Sequence, residues 1–399
     1  MRLRNGNDTK REYTLKAGVL GTDLTAEGPL PGVRGGSYLA NYRYSTLALL
    51  DGAGIVDYQG VPKYTDAAFK VKMPTAGAGT FSLFGVGGRS SILQEDKGVK
   101  LDTLFARNDY NSRVGVIGAT HTRTIGENSF LYTTFAVSGN GSGNTYSESP
   151  APGESPLELR GKVDLAKWTL RGTTTLNTRI NANHKLRSGL IVSNDRFHML
   201  TDSWNEERSF MERVLDRTGS ATTVQAFTSH KWRWSERMTM TSGVHVLYYD
   251  LNKAVSVEPR VALRYQRRPV EAFTVGAGLH SKTQSLATYL AQSVDPLGNV
   301  IRPNTQLSPT RAAHFVVGYE RQLAEDVQLK VEGYYQYLYR LPVENSTTSS
   351  YSESNTVEWF TNRALVNKGT GYNRGVEISL EKFFTRGYQF MSTASISAR

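Results

Sequence analysis

Residues 371–383 read GYNRGVEISLEKF, and within them Val376, Ile378 and Leu380 alternate with Glu377, Ser379 and Glu381. Successive side chains of a strand point to opposite faces, so this stretch makes one apolar and one polar face. The same reading extends outward along the chain. Val327, Leu329 and Val331 oppose Gln328, Lys330 and Glu332, and Ala67, Phe69, Val71 and Met73 oppose Asp66, Lys70 and Lys72. Tyr13, Leu15, Ala17 and Val19 oppose Thr14, Lys16 and Gly18. Two stretches blur the rule. Residues 130–137 are apolar on both faces, and residues 79–87 set Phe81 and Leu83 against Phe84 and Val86. A lumen packed by another element, or a loop folded inward, accounts for either.

Alternation predicts sixteen strands, over 11–25, 36–44, 64–73, 79–93, 110–123, 128–140, 161–180, 184–203, 218–233, 236–250, 256–267, 271–283, 311–322, 326–340, 371–383 and 388–397. Many exceed the ~5–6 residues of an ordinary strand and match or exceed the ~9–11 that a tilted strand needs to cross a bilayer. Long connections at 45–63, 94–109, 141–160, 204–217, 284–310 and 341–370 mostly alternate with short ones at 74–78, 124–127, 181–183, 234–235, 268–270, 323–325 and 384–387. The connection 251–255 is shorter than its place predicts, and 26–35 is longer. An up-and-down meander puts every second connection on the same side, and outer-membrane barrels carry long loops on one rim and tight turns on the other. A Greek-key sandwich gives no reason for such parity. Segments 139–156 (GNGSGNTYSESPAPGESP) and 345–355 (NSTTSSYSESN) have the chemistry of exposed loops. One helical fragment is expected at Thr46–Ala53, after Ser45.

The chain has 399 residues, with 47 Lys+Arg against 36 Asp+Glu for a net charge of +11, and no cysteine. Disulfide scaffolds, thiolate metal sites and cysteine nucleophiles are thereby excluded. No run approaches the ~18–20 apolar residues of a spanning helix. A mean hydropathy of −0.41 suits a soluble protein, but also a membrane barrel whose apolar positions hide among polar ones. Met1–Arg4 leads into the polar run Asn5–Thr9 with no signal-peptide core, and 389–399 still reads as strand where the sequence stops. A piece of a longer protein is the expectation.

Aromatic residues cluster near strand ends: Tyr38, Tyr42 and Tyr44; Trp232 and Trp234; Tyr248 and Tyr249; Tyr334, Tyr335, Tyr337 and Tyr339. Interfacial girdles favour such rings, and ordinary cross-strand packing is the competing account. The basic residues, Arg264, Arg267 and Arg268 among them, are spread through turns and polar faces and form no single stripe. They read as a solvated or lumenal face, with attraction of an anionic ligand or of anionic head groups as the alternative. No catalytic constellation is found. His121, His184, His198, His230, His245, His280 and His314 form neither HxxxH nor HExxH. Glu206 with Glu207, and Glu325 with Asp326, read as turn charges. Gly139–Gly143 (GNGSG) is no nucleophile elbow. Gly369, Gly371 and Gly375 lead into a strand without the Lys-Ser/Thr of a phosphate loop. The expectation is a protein that is not an enzyme, with no catalytic, metal or cofactor residues and no nucleic-acid partner.

Seven segments carry a resemblance: GTDLTAEGP (21–29), NYRYSTLALL (41–50), VPKYTDAAFKVKMPT (61–75), GTFSLFGVGG (79–88), SVEPR (256–260), LSPTRAAHFVVGYE (307–320) and NKGTGYNRGVEISLEKFF (367–384). In this order they resemble the TonB-dependent outer-membrane receptors of the Bacteroidetes type; Thr310 stands where an acidic residue is expected. The resemblance implies an all-β, antiparallel, up-and-down transmembrane barrel in the outer membrane. It implies part of that barrel over 1–399, about 16 of about 22 strands, the size class with a plugged lumen, with the plug itself unmatched. It also implies import of a nutrient such as a metal chelate, vitamin, glycan or peptide, energised by TonB acting through a plug absent from these residues, with a surface lipoprotein as a further partner. Loops 94–109, 141–160, 204–217, 284–310 and 341–370 are expected to face outward and select the ligand; no individual substrate-binding residue is assigned. A barrel fragment leaves edge strands unpaired, so the isolated chain is expected neither to insert stably nor to transport. The rivals are a passive porin-like channel, an outer-membrane barrel enzyme and a soluble all-β binding protein.

Overall fold

In the computed structural model, the described residues are 3–18, 21–55, 60–97, 104–150, 156–205, 209–294, 297, 299–355, 361 and 363–398. Strands dominate them: β1 (Glu12–Ala17), β2 (Thr22–Pro29), β3 (Ser37–Tyr44), β4 (Lys63–Thr75), β5 (Gly79–Lys97), β6 (Leu104–Ile125), β7 (Ser129–Glu148), β8 (Glu158–Arg179), β9 (His184–Asn205), β10 (Phe210–Arg233), β11 (Met238–Tyr249), β12 (Ala254–Arg268), β13 (Glu271–Lys282), β14 (Ser293–Val294), β15 (Val300–Ile301), β16 (Thr310–Ala324), β17 (Val327–Glu344), β18 (Leu365–Thr385) and β19 (Tyr388–Ala398). Helix α1 (Thr46–Gly52) follows β3, α2 (Leu286–Tyr289) follows β13, and a 3-10 turn spans Glu353–Asn355. The β14–β15 pair stands apart; the other seventeen strands form one sheet. Every ladder of defined register is antiparallel.

The fold class read from alternation is the one observed, and α1 forms where expected, with the Ser45 hydroxyl accepting from the Ala48 N–H as its cap. The boundaries need correction. The single strand expected over 11–25 is two, because the chain turns between Ala17 and Thr22, closed by the Gly18 N–H donating to the Gly21 carbonyl at 3.1 Å. The long connection expected at 26–35 shrinks accordingly to 30–36. The β14–β15 pair, two residues each, is too short to leave a period.

Contacts divide the chain into two compact units. The first comprises Met1–Thr124, Leu131–Thr174 and Ser193–Ser220. Here Leu15, Leu24, Tyr42 and Ala67 line up as successive partners across β1–β4, an apolar row. On the other face Lys16, Asp23, Arg43 and Asp66 line up in the same way. Opposite charges at adjacent positions support the pairing, and Arg43 binds Asp66 at 2.6 Å. The segment before β1 lies on this polar face. Arg4 forks onto both oxygens of Glu27 at 2.6 Å, and Lys70 donates to the Leu3 carbonyl at 2.9 Å.

The second unit comprises Ile125–Phe130, Thr175–Val192 and Ala221–Arg399. Across β12, β13 and β16–β19 one row runs Leu263, Val275, Val317, Gly333, Val376 and Ile396. The next row, on the opposite face, runs Arg264, Thr274, Gly318, Glu332, Glu377 and Ser395. Val275, Val317, Val376 and Ile396 are all exposed, between 44% and 82%. A water-facing sheet does not present its branched aliphatics to solvent in a continuous row; a lipid-facing one does.

Candidate functional site: the outer-loop brace and the polar strand face

Strand length decides which expected loops are loops. Strands β6–β10 run 20 to 24 residues, about twice what a crossing needs. Most of 94–109, 141–160 and 204–217 is therefore strand, contrary to the loop expectation. Strand β5 continues to Lys97, β7 to Glu148 and β9 to Asn205, while β6, β8 and β10 begin at Leu104, Glu158 and Phe210. The intervening 98–103, 151–155 and 206–208, with Glu206 and Glu207, lie outside the described residues. The physical reason is that alternation needs a dry face. Strand that projects beyond the bilayer is wet on both sides, so its sequence reads like loop. Gly139 shows how the glycine-rich stretch serves a strand: a Cβ there would come within 2.8 Å of the Trp168 ring.

The remaining two regions, 284–310 and 341–370, meet in the second unit. Ser285 caps α2 by accepting from the Thr288 N–H. Tyr289 is fully buried, in a core with Ala221, Leu247, Tyr249, Leu307 and Leu365. The Tyr249 and Tyr289 rings lie 5.1 Å apart. Tyr249, expected in an aromatic girdle, is thus turned into this core. Asn304 is fully buried; its side chain donates to the Arg363 carbonyl at 2.9 Å and accepts from the Leu365 N–H at 2.8 Å. Asn367 accepts from the Ser308 N–H at 2.7 Å, and Asn252 donates to the Leu307 carbonyl at 2.6 Å. The Thr288 hydroxyl donates to Glu353. Burial pushes the Glu353 carboxyl above its ordinary pKa and the Tyr289 phenol up to about 12. These contacts make a folded brace. Residues 295, 296, 298, 356–360 and 362 lie outside the described residues.

On the polar strand face, register gathers residues that no local motif connects. Glu258 is buried at 2% exposure. Its carboxylate accepts from Arg260 at 2.6 Å and the Ser281 hydroxyl at 2.5 Å, and His245 Nδ1 lies 3.1 Å from it. His245 Nε2 meets Gln225 at 3.0 Å, and the His280 and His314 rings stack at 4.3 Å. The histidines were read singly as strand or turn residues; five of them make such contacts because residues 20 to 46 apart become strand neighbours. His184 Nδ1 meets His230 Nε2 at 2.9 Å, for instance. Among the described residues no group of three or more His, Asp or Glu is arranged to hold a metal ion. Asp326 reads as more than a turn charge, binding Lys382 at 3.0 Å and accepting from the Thr385 hydroxyl. A concavity of about 490 Å³ opens on the polar face between Glu332, Tyr334, Gln336, Asn373 and Glu377. The arrangement can hold a polar ligand by hydrogen bonds.

No described protein family matches the sequence, and no curated protein does. Solved structures do match in fold. The pyoverdine outer-membrane receptor FpvA of Pseudomonas aeruginosa PAO1 is 11% identical with a TM-score of 0.69, over 100% of this chain and 62% of its own. The ferric-catecholate import receptor Fiu of Escherichia coli K12 is 9% identical with a TM-score of 0.67, over 99% and 66%. The RagAB peptide transporter is 11% identical with a TM-score of 0.65, over 94% and 50%. The fold is therefore one shared with outer-membrane β-barrels, all-β, antiparallel and up-and-down. The matched proteins are transporters and receptors, and this chain spans about half to two-thirds of their length.

Proposed function

We propose that residues 1–399 supply barrel wall to an outer-membrane receptor that imports a nutrient ligand with energy passed through TonB. The carrying observation is the row of exposed aliphatics Val275, Val317, Val376 and Ile396, with Gly333 among them, backed by a polar row, in a meander of strands long enough to cross and overshoot a bilayer. The likeness in fold to siderophore, catecholate and peptide transporters supports the same reading. The brace of 284–310 and 341–370 then stands at the outer rim, near the ligand's approach. The strand extensions of β5–β10 form the wall above the membrane. TonB would act through a plug, which the strands described here do not include, and a surface lipoprotein would be a further partner. The ligand class spans metal chelate, vitamin, glycan and peptide. A passive channel uses the same strands; a plug-coding sequence upstream distinguishes the receptor from it.

The absence of native cysteine makes the test direct. Val317→Cys and Thr347→Cys are introduced singly into the chain in its native coding context, expressed in an outer-membrane host. Thr347→Cys should react with a membrane-impermeant maleimide on intact cells. Val317→Cys should react only after the membrane is dissolved and the protein unfolded. Ready labelling of Val317→Cys in intact membranes would overturn the membrane reading.

A further inference from the structure

The polar face of β8–β10 carries charges that make no ion pair with any described carboxylate, Glu127 beside the Asn128 partner of Arg179 included. The Ile180 N–H donates to the His184 carbonyl at 3.0 Å, which sets Arg179 opposite Lys185. The Arg233 N–H donates to the Asn183 carbonyl at 2.8 Å, and Ser188 meets Thr228 at 2.9 Å, which sets Lys185 opposite Lys231. Three cations thus stand in line across three adjacent strands, on one face, about 4.8 Å apart from strand to strand. Arg187 and Arg233 sit beside them on the same face. All five side chains are exposed, and none makes an ion pair among the described residues. Arg187 lies over the Phe227 ring at 5.7 Å. The nearest carboxylate in sequence, Glu236, belongs to the turn after Arg233. The expectation that basic residues form no stripe is corrected here: a row spread over residues 179–231 is invisible until the strands pair.

Like charges directly opposite on neighbouring strands destabilise a sheet, so an unbalanced row of three calls for a counter-charge from outside. The opposite face excludes one source. His184, Trp232 and Trp234 stack there at 5.6 and 5.3 Å, the arrangement of an aromatic belt against lipid. The cations therefore face away from the bilayer, where low-dielectric walls focus the field and rings of Lys and Arg select anions. We propose that Arg179, Lys185 and Lys231, flanked by Arg187 and Arg233, bind a multiply charged anionic solute bearing two or more phosphate or carboxylate groups, near the short-turn rim. This rests on the transport reading above and narrows its substrate class.

The test is calorimetry of the protein expressed in its native coding context, as for the cysteine variants, and purified in neutral detergent, with inorganic pyrophosphate as the probe. Binding should weaken about tenfold for Lys185→Gln or Lys231→Gln, and further for the pair, because each charge-assisted contact is worth about one such factor. Lys10→Gln, a cation remote in sequence and paired with Glu12, should leave binding unchanged. Without pyrophosphate the double variant should unfold at the same or a higher urea concentration than the parent, which separates lost binding from lost fold. Absence of pyrophosphate binding, or equal binding by the double variant, overturns the proposal. So does displacement of pyrophosphate by phosphatidylglycerol nanodiscs, which would make the ligand a lipid head group. Failure of the cysteine labelling would sink the membrane reading while leaving the calorimetric result to be scored by itself.

Discussion

Asn304 accepts a hydrogen bond from the Leu365 N–H at 2.8 Å, joining segments 61 residues apart inside the loop brace. The same side chain donates to the Arg363 carbonyl, so one buried amide satisfies both a donor and an acceptor of the facing loop. Buried backbone groups rarely go unpaired, and two extended loops can fold onto each other only if something supplies those partners.

Asn304→Ala removes both bonds and leaves the buried Leu365 N–H and the Arg363 carbonyl without their partner. The expected cost is about 1–3 kcal/mol to the brace, read as a lower thermal or urea midpoint and as faster amide exchange confined to 284–310 and 341–370. Unchanged exchange in both segments would show that the brace is held elsewhere.

Glu353 makes the brace sensitive to pH. Its folded pKa lies above the unfolded value because burial disfavours the anion. The folded brace therefore holds the proton more tightly, and its stability is full below the unfolded pKa and lost as pH rises through the raised one. Amide protection in 284–310, measured relative to the intrinsic exchange rate at each pH, should be greater at pH ~4 than at pH ~8. Glu353→Gln should make that protection the same at both. Lys282 tempers the effect by favouring the anion.

At the opposite rim, Lys382 is buried and reaches Asp326 at 3.0 Å and Thr385 Oγ1 at 2.6 Å, with its ammonium 3.9 Å from the Tyr388 ring centre. The Thr385 and Lys382 hydrogen bonds hold the Asp326 carboxyl below its usual pKa. Its contribution is present above the unfolded value and disappears as pH falls through the depressed one. Asp326→Asn should lower the urea midpoint at neutral pH and lose that difference in acid. Asp326→Asn with Lys382→Met should recover part of the loss, since the double change no longer buries an unpaired charge.

Val317 lies mid-row on the apolar face, between Val275 and Gly333. Val317→Arg should cost about 2–4 kcal/mol of membrane-embedded stability and deplete the protein from outer-membrane fractions. Gly318→Ser, one residue on and on the polar face, should leave the yield unchanged.

Much of the architecture was legible before any coordinates, because wherever a strand has one dry and one wet face its residues alternate. That is why Val327–Val331 and Val376–Leu380 announced β17 and β18, and why Ser45 marked α1. The same logic explains the failures. The ends of β5–β10 in 94–109, 141–160 and 204–217 carry no alternation of apolar with polar residues, so they looked like loops. The turn between Ala17 and Thr22 went unseen because Tyr13–Val19 alternates straight through its start.

What the chain's own text determined, then, was local: which residues favour a pleat, which face is greasy, and where the chain can bend. Only tertiary structure decided who stands beside whom. Glu258 with His245 and Ser281, Asn304 with Leu365, and Arg179 with Lys185 and Lys231 depend on register. Register is set by the backbone hydrogen bonds of whole strands, and no spacing in the sequence encodes it locally.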